Sequence, residues 1–265
     1  MPKVLEFNAK NVRPFTSWLK KFASVHNSVL LEVDKDNREF VAKIHNDERS
    51  VVKFSRISFE NAELELITKD SINQRIKVGI YHIPRLIKSL EQFSAGEFTI
   101  GFKYDELIGE NAGLVGLDIL LKNPSLKMIV SCTSLHIFKY LSDEQFLTKI
   151  AKVTPLVTFD LTGSMIEKIN SLSDLDSEYK FVDFRIKSGK VVVRGRSFEH
   201  LLSECDKPDA GISIYKNQFD KVDVENYSVD FSADRLVYKS KDSDTITVTS
   251  MVEKDEKYDE TTTDF

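Results

Sequence analysis

Residues 179–197, YKFVDFRIKSGKVVVRGRS, contain the pattern that decides the fold. Apolar and polar side chains alternate through 182–187, Ser188-Gly189 can reverse the chain, and a second β-branched run follows at 191–194. Strict alternation on either side of a short turn is typical of two paired strands. The stretch is therefore predicted to form a β-hairpin that follows a short helix.

The N-terminal part of the chain contains the same arrangement. Residues 29–33 (VLLEV) and 40–44 (FVAKI) flank a polar turn and again follow a helical stretch. Further along, residues 98–102 (FTIGF) resemble residues 227–231 (YSVDF). These matches indicate a two-fold internal repeat. We predict an α+β fold in which each half has two short helices covering one face of an antiparallel sheet.

Periodicity locates the remaining elements. Four segments have the spacing of amphipathic helices, namely residues 15–26, 83–93, 164–172 and 215–222. Further strands are predicted at 4–7, 51–58, 63–68, 75–81, 97–104, 114–121, 126–133 and 156–161. We predict a first domain at 1–140, a polar connector at 141–153, a second domain at 154–252 and an acidic tail at 253–265.

Charge is distributed unevenly. The whole chain of 265 residues carries a net charge of −5, which argues against a surface covered with phosphate-binding groups. The exposed faces of the four predicted helices are nevertheless basic or neutral. We predict a weakly cationic helix surface backed by an acidic remainder, although a single lysine-bearing helix is usually only a solvated face.

Several classes of protein are disfavoured. Cys132 and Cys205 lie far apart without a nearby histidine pair, which predicts free thiols in a reducing cytosol and neither a disulfide nor a zinc site. No hydrolase, metalloprotease or phosphate-loop motif occurs, so we expect no catalytic residue, metal or cofactor. Asp183 alternates with apolar residues and is expected to face solvent. We also expect neither a secretion leader nor a membrane-spanning segment.

Three stretches resemble one family. Residues 15–28 (FTSWLKKFASVHNS) resemble the first helix of the T-even-type bacteriophage sliding clamp, and residues 182–195 resemble the second-domain hairpin of that clamp. Both chains also end in Asp-Phe. The resemblance implies two repeated clamp domains with a fold like that of proliferating cell nuclear antigen. Three such subunits would close a ring around double-stranded DNA and tether a DNA polymerase after loading by a clamp-loader ATPase.

The resemblance also implies sites and a setting. The virus-encoded protein would act in the cytoplasm of a bacterial host. Its DNA contacts would be Lys20, Lys21, Arg85, Lys88, Lys168, Lys216 and Lys221. Its subunit joint would pair residues 126–134 with residues 198–206, and would use Leu126, Met128, Ile129, Val130, Cys132, Leu201 and Leu202. Its partner pocket would use Ile44, His45, Phe146, Leu147, Ile150 and Phe265. The alternative is an oligomeric viral structural or scaffolding protein that does not bind DNA.

Overall fold

The computed structural model describes residues 2–68, 74–94, 96–107, 113–138, 142–175 and 178–253. The chain forms two compact units. The first unit consists of residues 1–44 and 54–140, and the second of residues 45–53 and 141–265. A short segment from the first half of the sequence is thus part of the second unit.

The first unit contains most of the strands. Its helices are α1 (Arg13–Ala23) and α2 (Ile83–Glu91), with a short 3₁₀ turn at Leu135–Ile137. Its strands are β1 (Lys3–Ala9), β2 (Val29–Asp34), β3 (Glu39–His45), β4 (Val51–Ser58), β5 (Leu64–Leu66), β6 (Ile76–Ile80), β7 (Phe98–Leu107), β8 (Gly113–Lys122) and β9 (Lys127–Ser131). Strand β4 is shared, because its first three residues belong to the second unit.

One curved sheet organises the first unit. Its strand order is β4-β3-β2-β6-β8-β7-β1-β5, and β9 pairs with β8. The β1–β5, β1–β7, β2–β3, β2–β6, β7–β8 and β8–β9 pairs are antiparallel, whereas β6 and β8 form a short parallel pair. Below this sheet, Phe7, Phe40 and Phe59 contact one another at ring-centroid distances of 4.8 to 5.5 Å. This aromatic cluster fills the core over which the helices lie.

Helix α1 shows how the sequence forms these elements. Pro14 lies in its first turn, where the missing N–H costs no hydrogen bond. Phe15, Trp18 and Phe22 follow at helical spacing and are buried. The Trp18 indole Nε1 donates to Ser55 Oγ at 2.9 Å, so its one polar atom is satisfied. The helix ends at Ala23, three residues before the predicted end.

The second unit repeats the plan. Its helices are α3 (Asp143–Gln145), which continues into a π-helical turn at Phe146–Ile150, α4 (Gly163–Asp174) and α5 (Lys216–Phe219). Its strands are β10 (Val157–Leu161), β11 (Phe181–Lys187), β12 (Lys190–Arg194), β13 (Glu199–Glu204), β14 (Ala210–Tyr215), β15 (Tyr227–Phe231), β16 (Arg235–Ser240) and β17 (Asp244–Ser250). The α+β expectation is confirmed, with a shorter α5 and a longer α4 than the periodicity predicts.

Two sheets enclose the core of the second unit. One has the order β13-β12-β11-β14, and the other the order β10-β15-β16-β17 followed by the start of β4. Val182, Phe184 and Ile186 point from β11 into this core, as the alternation predicts. Ser188 and Gly189 both have positive φ in the tight β11–β12 turn, where glycine at φ 75° carries no Cβ penalty.

The expectation for Asp183 was wrong. This carboxylate is completely buried on the other face of β11. Tyr179 Oη donates a hydrogen bond to Asp183 Oδ2 at 2.8 Å, and Arg194 lies directly opposite in the strand register. Alternation identifies the face of a strand but does not tell whether a hydroxyl and a guanidinium cover that face.

The pairing pattern gives the two units equivalent strands. Strand β2 pairs with β3 and with β6, the strand before α2. Strand β11 pairs in the same way with β12 and with β14, the strand before α5, so β2 corresponds to β11. Likewise β1 pairs with β7 as β10 pairs with β15. Following the chain from these anchors, β4 corresponds to β13 and β9 corresponds to β17.

Candidate nucleic-acid interface and subunit edges

Helices α1 and α2 lie against each other in the first unit. Lys20 on α1 forms an ion pair with Glu91 at the end of α2, with Nζ 3.0 Å from Oε1. Both side chains are about half exposed, so the pair contributes little to stability but compensates part of the lysine charge. Lys21 follows on the same helix and is half-buried.

Helix α2 provides exposed positive charge. His82 caps it, because its Nδ1 accepts from the backbone N–H of Arg85 at 3.1 Å. Arg85 and Lys88 are exposed, while Leu86 and Leu90 are buried. Within the described part of the chain, no carboxylate forms an ion pair with Arg85 or Lys88. These two residues are therefore available to an anionic ligand such as a phosphate.

The helices of the second unit are electrostatically different. Lys168 on α4 is exposed and Lys221 is half-buried. Lys216 lies between two acids, with Nζ 2.8 Å from Asp174 and 3.2 Å from Asp220. Burial would lower the pKa of Lys216, but the hydrogen bonds to Asp174 and Asp220 outweigh it and raise that pKa. The longer α4 includes Asp174, which the predicted helix did not, and so the charge of Lys216 is compensated locally.

Strands β9 and β13 are both edge strands of their sheets. β9 pairs only with β8 among the named strands of the described chain, and β13 pairs only with β12. Ile129 is 55% exposed and Leu201 is 47% exposed. Leu126 is also exposed, whereas Met128, Val130, Cys132 and Leu202 are half-buried. An unpaired edge with large exposed apolar side chains favours pairing with another strand.

Clefts adjoin the β9 edge. One of about 270 Å³ is lined by Tyr81, Arg85, Ile129 and Cys132 among others. Another of about 360 Å³ lies between α2 and Met128. Burial first, and then the nearby Asp118 carboxylate, raise the pKa of the Cys132 thiol to about 12. This cysteine is therefore an unreactive thiol at neutral pH.

The residues predicted for a partner pocket differ in how far they are buried. Ile44 is completely buried, and His45 is half-buried with Nδ1 2.8 Å from the carbonyl oxygen of Asn46. Phe146 is buried in the second unit, whereas Leu147 and Ile150 in the same turn are half-buried. Phe265 lies outside the described residues. The turn therefore presents two partly exposed apolar side chains beside one buried anchor.

A buried ion-pair network lies in the first unit. Glu32 accepts from Lys43 Nζ at 3.1 Å and from Arg75 Nη1 at 3.0 Å, and Arg75 Nε donates to Asp34 Oδ2 at 2.6 Å. Burial would raise the pKa of Asp34, but hydrogen bonds from Asn37 and Arg75 outweigh it and hold that pKa below its ordinary value. Nothing in the sequence pattern predicts this network, because its members are up to 43 positions apart.

No family model matches the sequence, and no curated protein matches it. The fold, in contrast, has many counterparts among solved structures. A structure of A. fulgidus PCNA with the C-terminal region of FEN-1 superposes with a TM-score of 0.62 at 9% identity, covering 95% of this chain and 100% of that chain. The chain has the sliding-clamp fold.

Other sliding clamps superpose on the chain to a similar extent. Entamoeba histolytica proliferating cellular nuclear antigen gives a TM-score of 0.60 at 10% identity, covering 95% of this chain and 99% of that one. The Helicobacter pylori beta clamp bound to a DNA ligase peptide gives 0.64 at 10% identity, covering 96% of this chain and 67% of that one. The chain thus spans the whole of a PCNA chain and about two thirds of a bacterial clamp chain. The closer resemblance to T-even phage clamps stays a prediction.

Two further observations concern the described residues alone. None of their helices combines the length and apolar character needed to cross a membrane. No group of three or more histidine, cysteine or acidic side chains among them is arranged to hold a metal ion.

Proposed function

We propose that the protein is a sliding clamp, in which three copies joined head to tail encircle duplex DNA and tether a DNA polymerase. One observation carries the proposal. The start of β4 pairs with β17 in the second unit, where Ser250 N donates to Ser50 O at 2.8 Å. The repeat equivalents of these two strands, β13 and β9, are both open edges.

Burial supports the same joint. β17 has buried residues at four of its seven positions, whereas its counterpart β9 alternates between exposed and half-buried residues and has none buried. β4 likewise has four buried residues, and its counterpart β13 has none. In the proposed joint, β13 of one copy pairs with β9 of the next copy. Each edge strand then gains a partner, just as β4 and β17 are partners within the second unit. Such a head-to-tail contact generates a ring if its rotation closes.

Chain length supports a ring of three copies. The chain matches the full length of a PCNA chain, and we propose that three such two-unit subunits form the ring. The exposed cations on the helices would face the DNA, with Arg85, Lys88 and Lys168 as the principal contacts. Because a closed ring is retained by topology, a few weak phosphate contacts suffice, and the clamp stays mobile along the duplex.

Partner peptides would dock on the turn at Phe146–Ile150. The A. fulgidus and H. pylori structures contain peptides or segments of other replication proteins, and we propose a comparable role for Leu147 and Ile150 here. The polymerase and a clamp-loader ATPase would compete for this surface. As a sliding clamp the protein would have no catalytic activity of its own, and the T-even resemblance assigns it to a virus that replicates in a bacterial host.

Retention on circular DNA tests the proposal. The protein is loaded onto primed circular DNA by a clamp-loader ATPase and separated from free protein by gel filtration. We expect it to remain on the circle and to be lost when a restriction enzyme linearises the DNA. Equal retention on circular and linear DNA would indicate binding by phosphate contacts alone. Absence from both would favour the scaffolding alternative.

A further inference from the structure

A completely buried lysine, Lys53, is the last residue of β4 that belongs to the second unit. The Lys53 side chain has no exposed surface, and its Nζ donates to both carboxylate oxygens of Asp223 at 2.9 Å. Asp223 itself is mostly buried and follows α5. A buried ammonium needs such a partner, because removing the partner leaves an uncompensated charge in the interior. The pair therefore locks β4 to the second unit.

The hairpins identify the counterpart of Lys53. Asn46 N donates to Val51 O at 3.1 Å where the β3–β4 hairpin begins, and Gly195 N donates to Phe198 O at 3.0 Å where the β12–β13 hairpin begins. Val51 thus corresponds to Phe198. Two residues further along the strand, on the same face, Lys53 corresponds to His200.

The face of His200 agrees with this equivalence. His200 lies opposite Val193, which is buried in the core of the second unit. Its side chain therefore points to the helix side of the sheet, as the Lys53 side chain does. Burial and then the neighbouring Lys168 charge lower the pKa of His200, which favours the neutral imidazole.

The helix ends identify the counterpart of Asp223. Phe93 N donates to Leu90 O at 3.0 Å after α2, and Val222 N donates to Phe219 O at 2.9 Å after α5. Phe93 and Val222 are both buried, and each lies five positions before the first residue of the next strand. The residues that follow them are Ser94 and Asp223. Ser94 is exposed in the single chain.

We infer that His200 of one copy meets Ser94 of the next copy at the subunit joint, in the positions that Lys53 and Asp223 occupy within the chain. This inference rests on the proposed β9–β13 joint. Separating Lys53 from Asp223 would leave a buried charge without a partner, whereas a neutral imidazole and a hydroxyl separate without that cost. The joint between copies is therefore held without a buried charge, so that its two sides can separate without leaving an unpaired ammonium.

A double-mutant cycle tests the pairing. The concentration at which half of the trimer has dissociated is measured for wild type, His200→Lys, Ser94→Asp and the double variant. An unpaired ammonium in the joint should raise the midpoint for His200→Lys by at least ~10-fold. The double variant, which recreates the ion pair, should return to the wild-type midpoint or below it. Additive effects of the two substitutions would overturn the inference.

Cross-linking gives a readout that does not depend on affinity. In a background without Cys132 and Cys205, cysteines at 94 and 200 should be joined by a short bis-maleimide into covalent trimers. The matched control places the second cysteine at Glu199, whose side chain points to the opposite face of β13, and should give little product. Equal cross-linking of both pairs, or of neither, would overturn the pairing of His200 with Ser94. A wild-type protein that is monomeric at every concentration would instead refute the proposed joint itself.

Discussion

Replacing Ile129 by lysine should weaken the ring without unfolding the chain. Ile129 lies in the middle of β9 and is 55% exposed in the single chain. Full burial of an isoleucine side chain is worth about 1.5 to 3 kcal/mol, so covering the exposed half at a joint is worth about 1 to 1.5 kcal/mol. Three joints in a ring triple the loss to about 3 to 4.5 kcal/mol, before any cost of burying the ammonium.

This loss can be converted into a measurable concentration. About 1.4 kcal/mol changes an equilibrium constant tenfold, so the trimer constant should fall by roughly 10² to 10³. Because that constant depends on the square of the concentration, the dissociation midpoint should rise by about 10- to 30-fold. Sedimentation equilibrium over a dilution series measures the midpoint.

Ile67→Lys is the matched control. Ile67 is 49% exposed in the same unit but lies just beyond β5, away from β9. This variant should keep the wild-type midpoint, and the isolated chains of both variants should have wild-type melting temperatures. A midpoint for Ile129→Lys within about threefold of wild type would refute β9 as the joint, since about threefold in the midpoint is about ninefold in the trimer constant, or only about 1.3 kcal/mol for the whole ring.

Three further predictions follow from the helix face, the connector turn and the buried network. Reversing the charge of Arg85 and Lys88 together should lower loader-dependent processivity while the trimer stays intact, with a loss that is largest at low salt. Leu147→Ala with Ile150→Ala should weaken binding of a peptide from the C-terminus of the cognate polymerase by about 10-fold or more, by isothermal titration. Asp34 has a lowered pKa, so its contribution to stability is complete above about pH 5 and is lost as pH falls below its unfolded value of about 3.9.

Each of these predictions has its control. Lys152→Glu with Lys190→Glu makes the same charge change outside the helices and should leave processivity unchanged. Leu156→Ala removes an apolar side chain of comparable exposure beyond the turn, and a loss of peptide affinity equal to that of the turn variant would contradict the docking site. For the network, the stability difference between wild type and Asp34→Asn should shrink in acid denaturation series; a difference independent of pH would contradict the role of its carboxylate.

Some features could be predicted from the sequence because they depend on local pattern. The apolar spacing of Phe15, Trp18 and Phe22 produces α1, and the alternation in β11 produces a strand with Phe184 in the core. These signals are short-range. Strand β9 was also predicted close to where the structure has it, because residues 126–133 form an apolar run, whereas a strand near β13 was expected only from the resemblance to clamps.

The buried polar groups could not be predicted, because their partners are distant in sequence. Lys53 and Asp223 are 170 positions apart, and a lysine in an alternating strand usually points to solvent. The alternation in β11 likewise predicts an exposed Asp183, because it contains no sign that Tyr179 and Arg194 lie next to this carboxylate. The predicted end of α4 was two residues too early. Asp174, which compensates the charge of Lys216, therefore lay outside the predicted helix.

The mass of the protein in solution tests most directly whether the β9 and β13 edges close a ring of three. Native mass spectrometry and light scattering at micromolar concentration should both give one species of three times the chain mass of 30.3 kDa. A closed ring pairs β9 and β13 of every copy, so no larger species should form through these edges as concentration rises. A monomer at all concentrations, or a ladder of dimers, trimers and longer oligomers, would contradict a closed clamp.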